Sequence, residues 1–472
     1  MSWFHWLAFL PTVAILIVIH EYGHYRVARA CGVKVLRFSI GFGRVLWRRQ
    51  PDPQGTEFVI SAIPLGGYVS LLDERSGPVA PALKGQALGD RPLWQRAAVI
   101  AAGPLANLAL AVLLYAGAQW LGLMQDVAVL GTSPAGSLMA EAGLQPGERV
   151  LATGVVGTAS DDAASETSPT LWREVRGFGD LRWAVMQALL DRQALRLRVQ
   201  QAPGRGEREV LLPIDRLGAR DIDAAALRAV GLTDPFVSPV LREVQPEGPA
   251  ARAGLRKGDR VEAIDGRPVA DAVALIERIR ASGRQADPAP AAWTVLRDGQ
   301  SLTLTVQPRR VPDAADPGKA WVGKVDAAIG GARATVLVRD DALTALRTGF
   351  TRTADNVVLT LRMLGRMVVG QASLKNISGP VSIAQAAGQA MSLGAATYLA
   401  TLAMISVSLG VLNLLPLPML DGGHLIYYLF EGATGRPVPD GWLPWLQRGG
   451  VLILLLLMSL ALSNDVVRLW GR

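Results

Sequence analysis

Four long stretches of the chain are free of charge. Residues 1–19 hold no Lys, Arg, Asp or Glu, and 7–19 are almost continuously apolar. Residues 97–125, 376–420 and 449–464 repeat the pattern. A helix needs about 20 apolar residues to cross a bilayer, and each stretch can supply them with its flanks. Four transmembrane helices are expected, over about 6–30, 97–122, 397–430 and 447–464. A cleaved signal peptide explains the first stretch poorly. It lacks a basic leader, and its apolar run enters His20-Glu-Tyr-Gly-His24 rather than a small-residue cleavage site.

Basic residues orient these helices. Nine Lys and Arg lie between 31 and 96, from Lys34 to Arg96, and none lies in 1–6. The excess places loop 31–96 in the cytoplasm and the N-terminus outside. Four crossings return the C-terminus to the outside together with the region 126–370, although Arg468 and Arg472 argue weakly the other way. Within the cytoplasmic loop, 38–47 and 56–63 flank a Pro-Asp-Pro-Gln-Gly turn and predict a β-hairpin. Residues 341–369, in the segment 340–395, alternate apolar positions with Arg347, Arg352, Arg362 and Arg366, as helices on a membrane surface do.

The external region repeats itself. Ala142-Gly-Leu-Gln-Pro-Gly-Glu-Arg-Val150 recurs 111 residues later as Ala253-Gly-Leu-Arg-Lys-Gly-Asp-Arg-Val261. The second copy continues through Glu262-Ala-Ile-Asp-Gly266, a helix pattern over 270–281 and strands at 292–296 and 301–307. Both copies resemble the PDZ domain in its bacterial arrangement, which implies α+β domains over 126–220 and 230–310. The first departs at Ala152-Thr-Gly-Val-Val and carries an insertion near 157–168.

Composition narrows the class. Of 472 residues, 50% are hydrophobic and 19% charged, with a mean hydropathy of +0.27. Soluble domains carry about 25% charged residues, so this balance argues against a purely soluble chain. The net charge of +8 is spread over loops rather than gathered in a stripe, which gives nucleic-acid binding no support. A single cysteine, Cys31, excludes an intrachain disulfide framework and a Cys-based zinc ribbon.

With only four histidines, their placement is informative. His20 and His24 stand four apart at the end of an apolar helix, where both imidazoles face one side and can hold one Zn²⁺. Glu21, next to the first, is placed to take a proton from the attacking water. Ionisable clusters at membrane depth are costly and usually functional. Two histidines leave tetrahedral zinc short of a third protein ligand. Asp421 is the first charge after the 45 uncharged positions 376–420, in Asn413-Leu-Leu-Pro-Leu-Pro-Met-Leu-Asp-Gly-Gly-His424. Pro416 and Pro418 break regular helix there, and irregular backbone at membrane depth survives only where it is buried in protein or lines a cavity. Asp421 is favoured over His424 as the third ligand, because catalysis needs an open position.

These motifs, with Gly103-Pro-Leu-Ala-Asn107, make the chain resemble the site-2 protease family of intramembrane zinc metalloproteases over nearly its whole length. The resemblance implies zinc on His20, His24 and Asp421, with Glu21 as general base. It implies that Asn413 touches the substrate backbone or the developing oxyanion, and that Asn107 lines the site. It also implies a membrane-associated hairpin with a Gly41-Phe42-Gly43 motif, which can hold an unwound substrate by strand addition. The expected substrate is a single-span protein of the bacterial inner membrane: an anti-sigma factor already trimmed outside, or a remnant signal peptide. The PDZ-like copies are expected to take peptides or unfolded protein. The competing reading is a non-catalytic scaffold that binds envelope peptides through them.

Overall fold

The computed structural model describes residues 3–470, apart from 53, 74–82, 84, 156–170, 202–205, 218–223, 285–286, 314–320, 371–378 and 440. The chain divides into two compact units, Met1–Leu123 with Arg339–Trp470, and Met124–Val338.

The first unit is helical with one sheet. Its helices are α1 (Trp3–Ala30), α2 (Leu93–Leu121), α3 (Ala342–Val368), α4 (Pro380–Ser392), α5 (Ala395–Asn413), α6 (Asp421–Thr434) and α7 (Leu443–Trp470). Among the described residues three helices are long and apolar enough to cross a membrane. These are α2 (mean hydropathy 2.2), α5 (1.8) and Leu443–Val467 of α7 (2.1). α1 runs through the uncharged residues 3–19 and then carries His20, Glu21, His24, Arg26 and Arg29 toward its C-terminal end. The span expected over 397–430 is two helices rather than one. Pro416 and Pro418 lack an N–H and disfavour helical backbone before them, so α5 stops at Asn413 and α6 starts afresh at Asp421. The last helix reaches well beyond the expected 447–464, because Arg448 and Asp465 lie within it rather than at its ends.

α1 and α2 meet through small residues. A Cβ at Gly23 would sit 2.4 Å from the Ala102 carbonyl oxygen, so the two backbones approach closely there. Tyr25, Ala28, Val33, Val35, Phe38, Leu88 and Val99 form a buried cluster beside them. Ala111, Tyr115, Ala403, Val407 and Val411 join α2 to α5. In α3, Asp341 caps the N-terminus by accepting from the Leu343 and Thr344 N–H groups, and Leu343, Leu346, Phe350, Val358 and Leu361 stay exposed.

The sheet consists of β1 (Val35–Arg49) and β2 (Glu57–Leu71), antiparallel and doubly paired. Arg37 pairs with both Glu57 and Ser70, and Ile40 with both Ile60 and Gly67, so the start of β1 lies between the two halves of β2. The end of β1 then crosses back, with Val45 opposite Ser61 and Arg49 opposite Phe58. Gly41 and Gly43, at φ +88° and +85°, allow the bend between the two halves. Residues 67–71 are thereby left at an edge of the sheet among the described residues.

The second unit holds two halves of one topology. In the first, the sheet order is Leu171–Glu174, Arg149–Val155, Leu195–Gln200, Glu207–Leu212, with the helix Phe178–Asp191. In the second it is Arg267–Pro268, Arg260–Ile264, Ala291–Arg297, Gln300–Val306, with the helix Ala272–Ser282. Each half has its own core, built around Leu181, Leu195 and Leu197 in the first and around Leu275, Trp293 and Val295 in the second. The second core includes Val325, and Ala327–Ile329 pairs with Leu241–Val244, so this body continues beyond residue 310. The insertion expected near 157–168 lies outside the described residues.

Candidate active site

The site begins with spacing on α1. His20 and His24, one turn apart, present Nε2 atoms 3.2 Å from each other, and both residues are buried. α2 supplies the floor beneath them. A Cβ at Gly103 would lie 2.2 Å from His24 Nε2 and 2.8 Å from His20 Nε2, so only glycine lets the α2 backbone pass this close.

α2 also sets the tautomers. His24 Nδ1 donates to the Val99 carbonyl oxygen at 2.8 Å, leaving Nε2 as a lone-pair donor to a cation. His20 Nδ1 lies 3.2 Å from Asn107 Nδ2, while Asn107 Oδ1 is buried without a partner among the described residues. With the amide oriented so that Oδ1 faces the ring, His20 Nδ1–H donates to Oδ1. His20 Nε2 is then also free for a metal. Partners of this kind on the second ring nitrogen characterise metal-ligating histidines.

Asp421 completes the group from the far end of the sequence. It opens α6 directly after the proline-broken turn, and Gly422 and Gly423 let that first turn press onto backbone carbonyls. A Cβ at either would fall within 2.3 Å of the Leu414, Leu415 or Leu417 oxygens. Asp421 Oδ2 lies 3.2 Å from His20 Nε2 and 3.6 Å from His24 Nε2. The three atoms make a triangle of sides 3.2, 3.2 and 3.6 Å. A tetrahedral zinc with bonds of about 2.0–2.1 Å separates its ligand atoms by roughly 3.3 Å. His20, His24 and Asp421 thus form a cluster able to hold a metal ion, and two nitrogens with one carboxylate oxygen suit zinc.

Glu21 is half-buried and points toward the sheet. Its Cγ lies 3.1 Å from where a Cβ of Gly67 would be, and its carboxylate hydrogen-bonds with the Val69 backbone. The edge 67–71 therefore runs beside Glu21. Gly41 and Gly43 sit at the bend of β1, and the Phe42 ring stacks on Tyr68 with centroids 6.1 Å apart. Asn413 ends α5, half-buried, outside the hydrogen-bonded set around the cluster among the described residues. His424, one turn along α6 from Asp421, packs edge-on against Tyr427 and is not one of the three converging groups. The parts played by Gly103, Val99 and Gly67 escaped sequence reasoning. Only the motif Gly103–Asn107 signalled the first, without indicating what its glycine avoids.

Known proteins match this chain over nearly its whole length. A family model described as Peptidase family M50 matches residues 8–457. A Ralstonia nicotianae protein whose name includes the words zinc metalloprotease is 43% identical over 471 residues, 98% of each chain. Regulator of sigma-E protease RseP of Escherichia coli is 38% identical over 468 residues, and Regulator of sigma E protease of Salmonella typhi 37% over 466, each again covering 98% of both chains.

Proposed function

Because this chain belongs to peptidase family M50 and is a zinc-dependent metalloendopeptidase of the membrane, we propose that His20, His24 and Asp421 hold its zinc and that Glu21 is its general base. The triangle of Nε2, Nε2 and Oδ2 carries this reading, because its sides match the ligand separations of tetrahedral zinc. When bound, zinc acidifies water and polarises the scissile carbonyl.

The chain's own residues do the rest. Asn107 and the Val99 carbonyl hold the two imidazoles in the tautomer that directs Nε2 at the metal. The Glu21 carboxylate takes the proton of the attacking water and later delivers it to the leaving amide nitrogen. A transmembrane substrate must unwind before its peptide bonds are accessible. The β2 edge at 67–71, beside Glu21, offers an open strand edge to such an unwound strand, with Gly41-Phe42-Gly43 shaping the sheet that presents it. Asn413, just before the turn that delivers Asp421, is assigned to the substrate backbone or the oxyanion.

The protein is a multi-pass inner-membrane protein. In our reading α1 is a fourth span beside α2, α5 and α7, with both termini and 124–338 on the periplasmic side, supported by the nine basic residues of 31–96. The two halves of 124–338 are assigned as PDZ-like domains on their shared strand order and repeated motif, able to take peptide or unfolded-protein ligands. The names of the Escherichia coli and Salmonella relatives point to sigma-E regulation. For this chain we assign as substrate a single-span anti-sigma factor already trimmed outside, with remnant signal peptides as a second class. Replacing Glu21 by Gln keeps both histidines and removes the proton acceptor. Zinc should stay bound while cleavage disappears, and near-wild-type cleavage by that variant would refute the mechanism.

A further inference from the structure

Asp421 opens a short helix, α6, whose direction depends on how both of its ends are held. α6 leaves the proline-broken turn at Asp421, and Gly422 and Gly423 seat its first turn on the carbonyls of that turn, which fixes one end of the helix. At the other end of α6 lies Glu431, ten residues on and roughly 15 Å away along the axis. Glu431 accepts two N–H groups from Arg96 in the first turns of α2, Nη1 at 3.1 Å and Nη2 at 2.6 Å. The guanidinium also lies over the Tyr428 ring, 5.2 Å from its centroid. Only 14% of the Arg96 side chain and 20% of Glu431 are exposed, so the pair is far better shielded than a surface ion pair.

α2 is also the helix that holds the histidines, through Val99, Gly103 and Asn107. One rigid helix thus carries the fixings for both histidines and for the helix that bears the carboxylate. We infer that the Arg96–Glu431 pair, stacked on Tyr428, is a positioning latch that clamps α6 to α2 and sets the Asp421 carboxylate against His20 and His24. The inference rests on those three residues being the zinc ligands. Arg96 and Glu431 do not touch the metal or the substrate; they act through the orientation of α6.

The test uses the purified full-length chain in detergent, with zinc affinity measured by competition against a chelator. Arg96→Met and Glu431→Gln should each weaken zinc binding by about 2- to 30-fold, the range for residues that act on a site without contacting it. Arg96→Lys, which keeps the charge and loses the fork, should fall between these and wild type. The exchange Arg96→Glu with Glu431→Arg should recover most of the affinity. A purely structural role would lower the melting temperature of the metal-free protein and leave the zinc dissociation constant unchanged. Wild-type zinc affinity in the folded single variants, or no recovery in the exchange, would overturn the latch. Asp421→Asn is the control: if it leaves zinc affinity unchanged, the ligand assignment itself fails, whereas a loss there with intact affinity at Arg96 and Glu431 rejects the latch alone.

Discussion

Adding one methyl group at Gly103 tests how the site is built. The new Cβ would lie 2.2 Å from His24 Nε2 and 2.8 Å from His20 Nε2, far inside the 3.4 Å at which ordinary contact begins. Neither ring can yield cheaply. His24 is tied to the Val99 carbonyl at 2.8 Å, and His20 lies against Asn107. Either the imidazoles turn off these partners or α2 backs away from α1, and both moves pull the Nε2 atoms out of register with Asp421. Forcing a methylene into a packed interior costs about 1–3 kcal/mol. Charged against the metal-bound geometry, that is about a 5- to 160-fold loss of zinc affinity in Gly103→Ala. The assay is chelator competition on the purified protein, with Gly117→Ala as control. Gly117 lies on the same helix, but its Cβ would meet Leu399 Cδ1 at an ordinary 3.5 Å, so zinc affinity should not change there. Wild-type zinc binding by Gly103→Ala would refute the claim that α2 forms the floor of the site.

Asp421→Asn should weaken zinc binding and Asp421→Ala should abolish it together with cleavage, while His424→Ala keeps most of the metal; the reverse pattern in metal analysis would reassign the third ligand. Deleting 124–338, the whole second unit, removes no residue of the His20–His24–Asp421 cluster, so a stably expressed deletion should still cut a trimmed substrate. It should also begin to cut substrates with an intact bulky outer domain, and continued refusal of these would exclude a filtering role for the PDZ-like halves. In the second half, Asp326 accepts from Arg309 at 2.7 and 2.9 Å, and these bonds hold its carboxylate below the ordinary 3.8. A depressed native pKa adds stability above the ordinary value that disappears as pH falls through the depressed one. Hydrogen exchange of Leu241–Val244, which pairs with Ala327–Ile329 beside Asp326, should therefore quicken on acidification below pH 3.8, and less so in Asp326→Asn. Equal acid responses in the two proteins would refute the coupling.

Much of this protein is readable from local pattern. Helical periodicity alone puts His20 and His24 on one face, because four residues is about one turn. Lack of charge marks α2, α5 and α7 as bilayer-length helices, since the cost of charge in hydrocarbon is paid residue by residue. The 111-residue repeat foretold two halves, which fold with the same strand order. Pro416 and Pro418 foretold irregular backbone before Asp421, though the separate helix α6 beyond the break appears only in the fold.

Tertiary structure decided what those patterns leave open. The sequence by itself determined a pair of imidazoles and a carboxylate in an apolar setting some 400 positions apart, but no local rule brings Oδ2 of Asp421 to 3.2 Å from His20 Nε2. That distance comes from helix packing: Gly23 and Gly103 let α1 and α2 close, and Arg96 with Glu431 ties α6 to α2. The doubly paired β1 is equally hidden, because alternation along a strand says nothing about which neighbours it takes on either side. Periodicity is a property of neighbours along the chain, whereas a metal site is a property of neighbours through space, and only the packing of helices onto one another converts the first into the second.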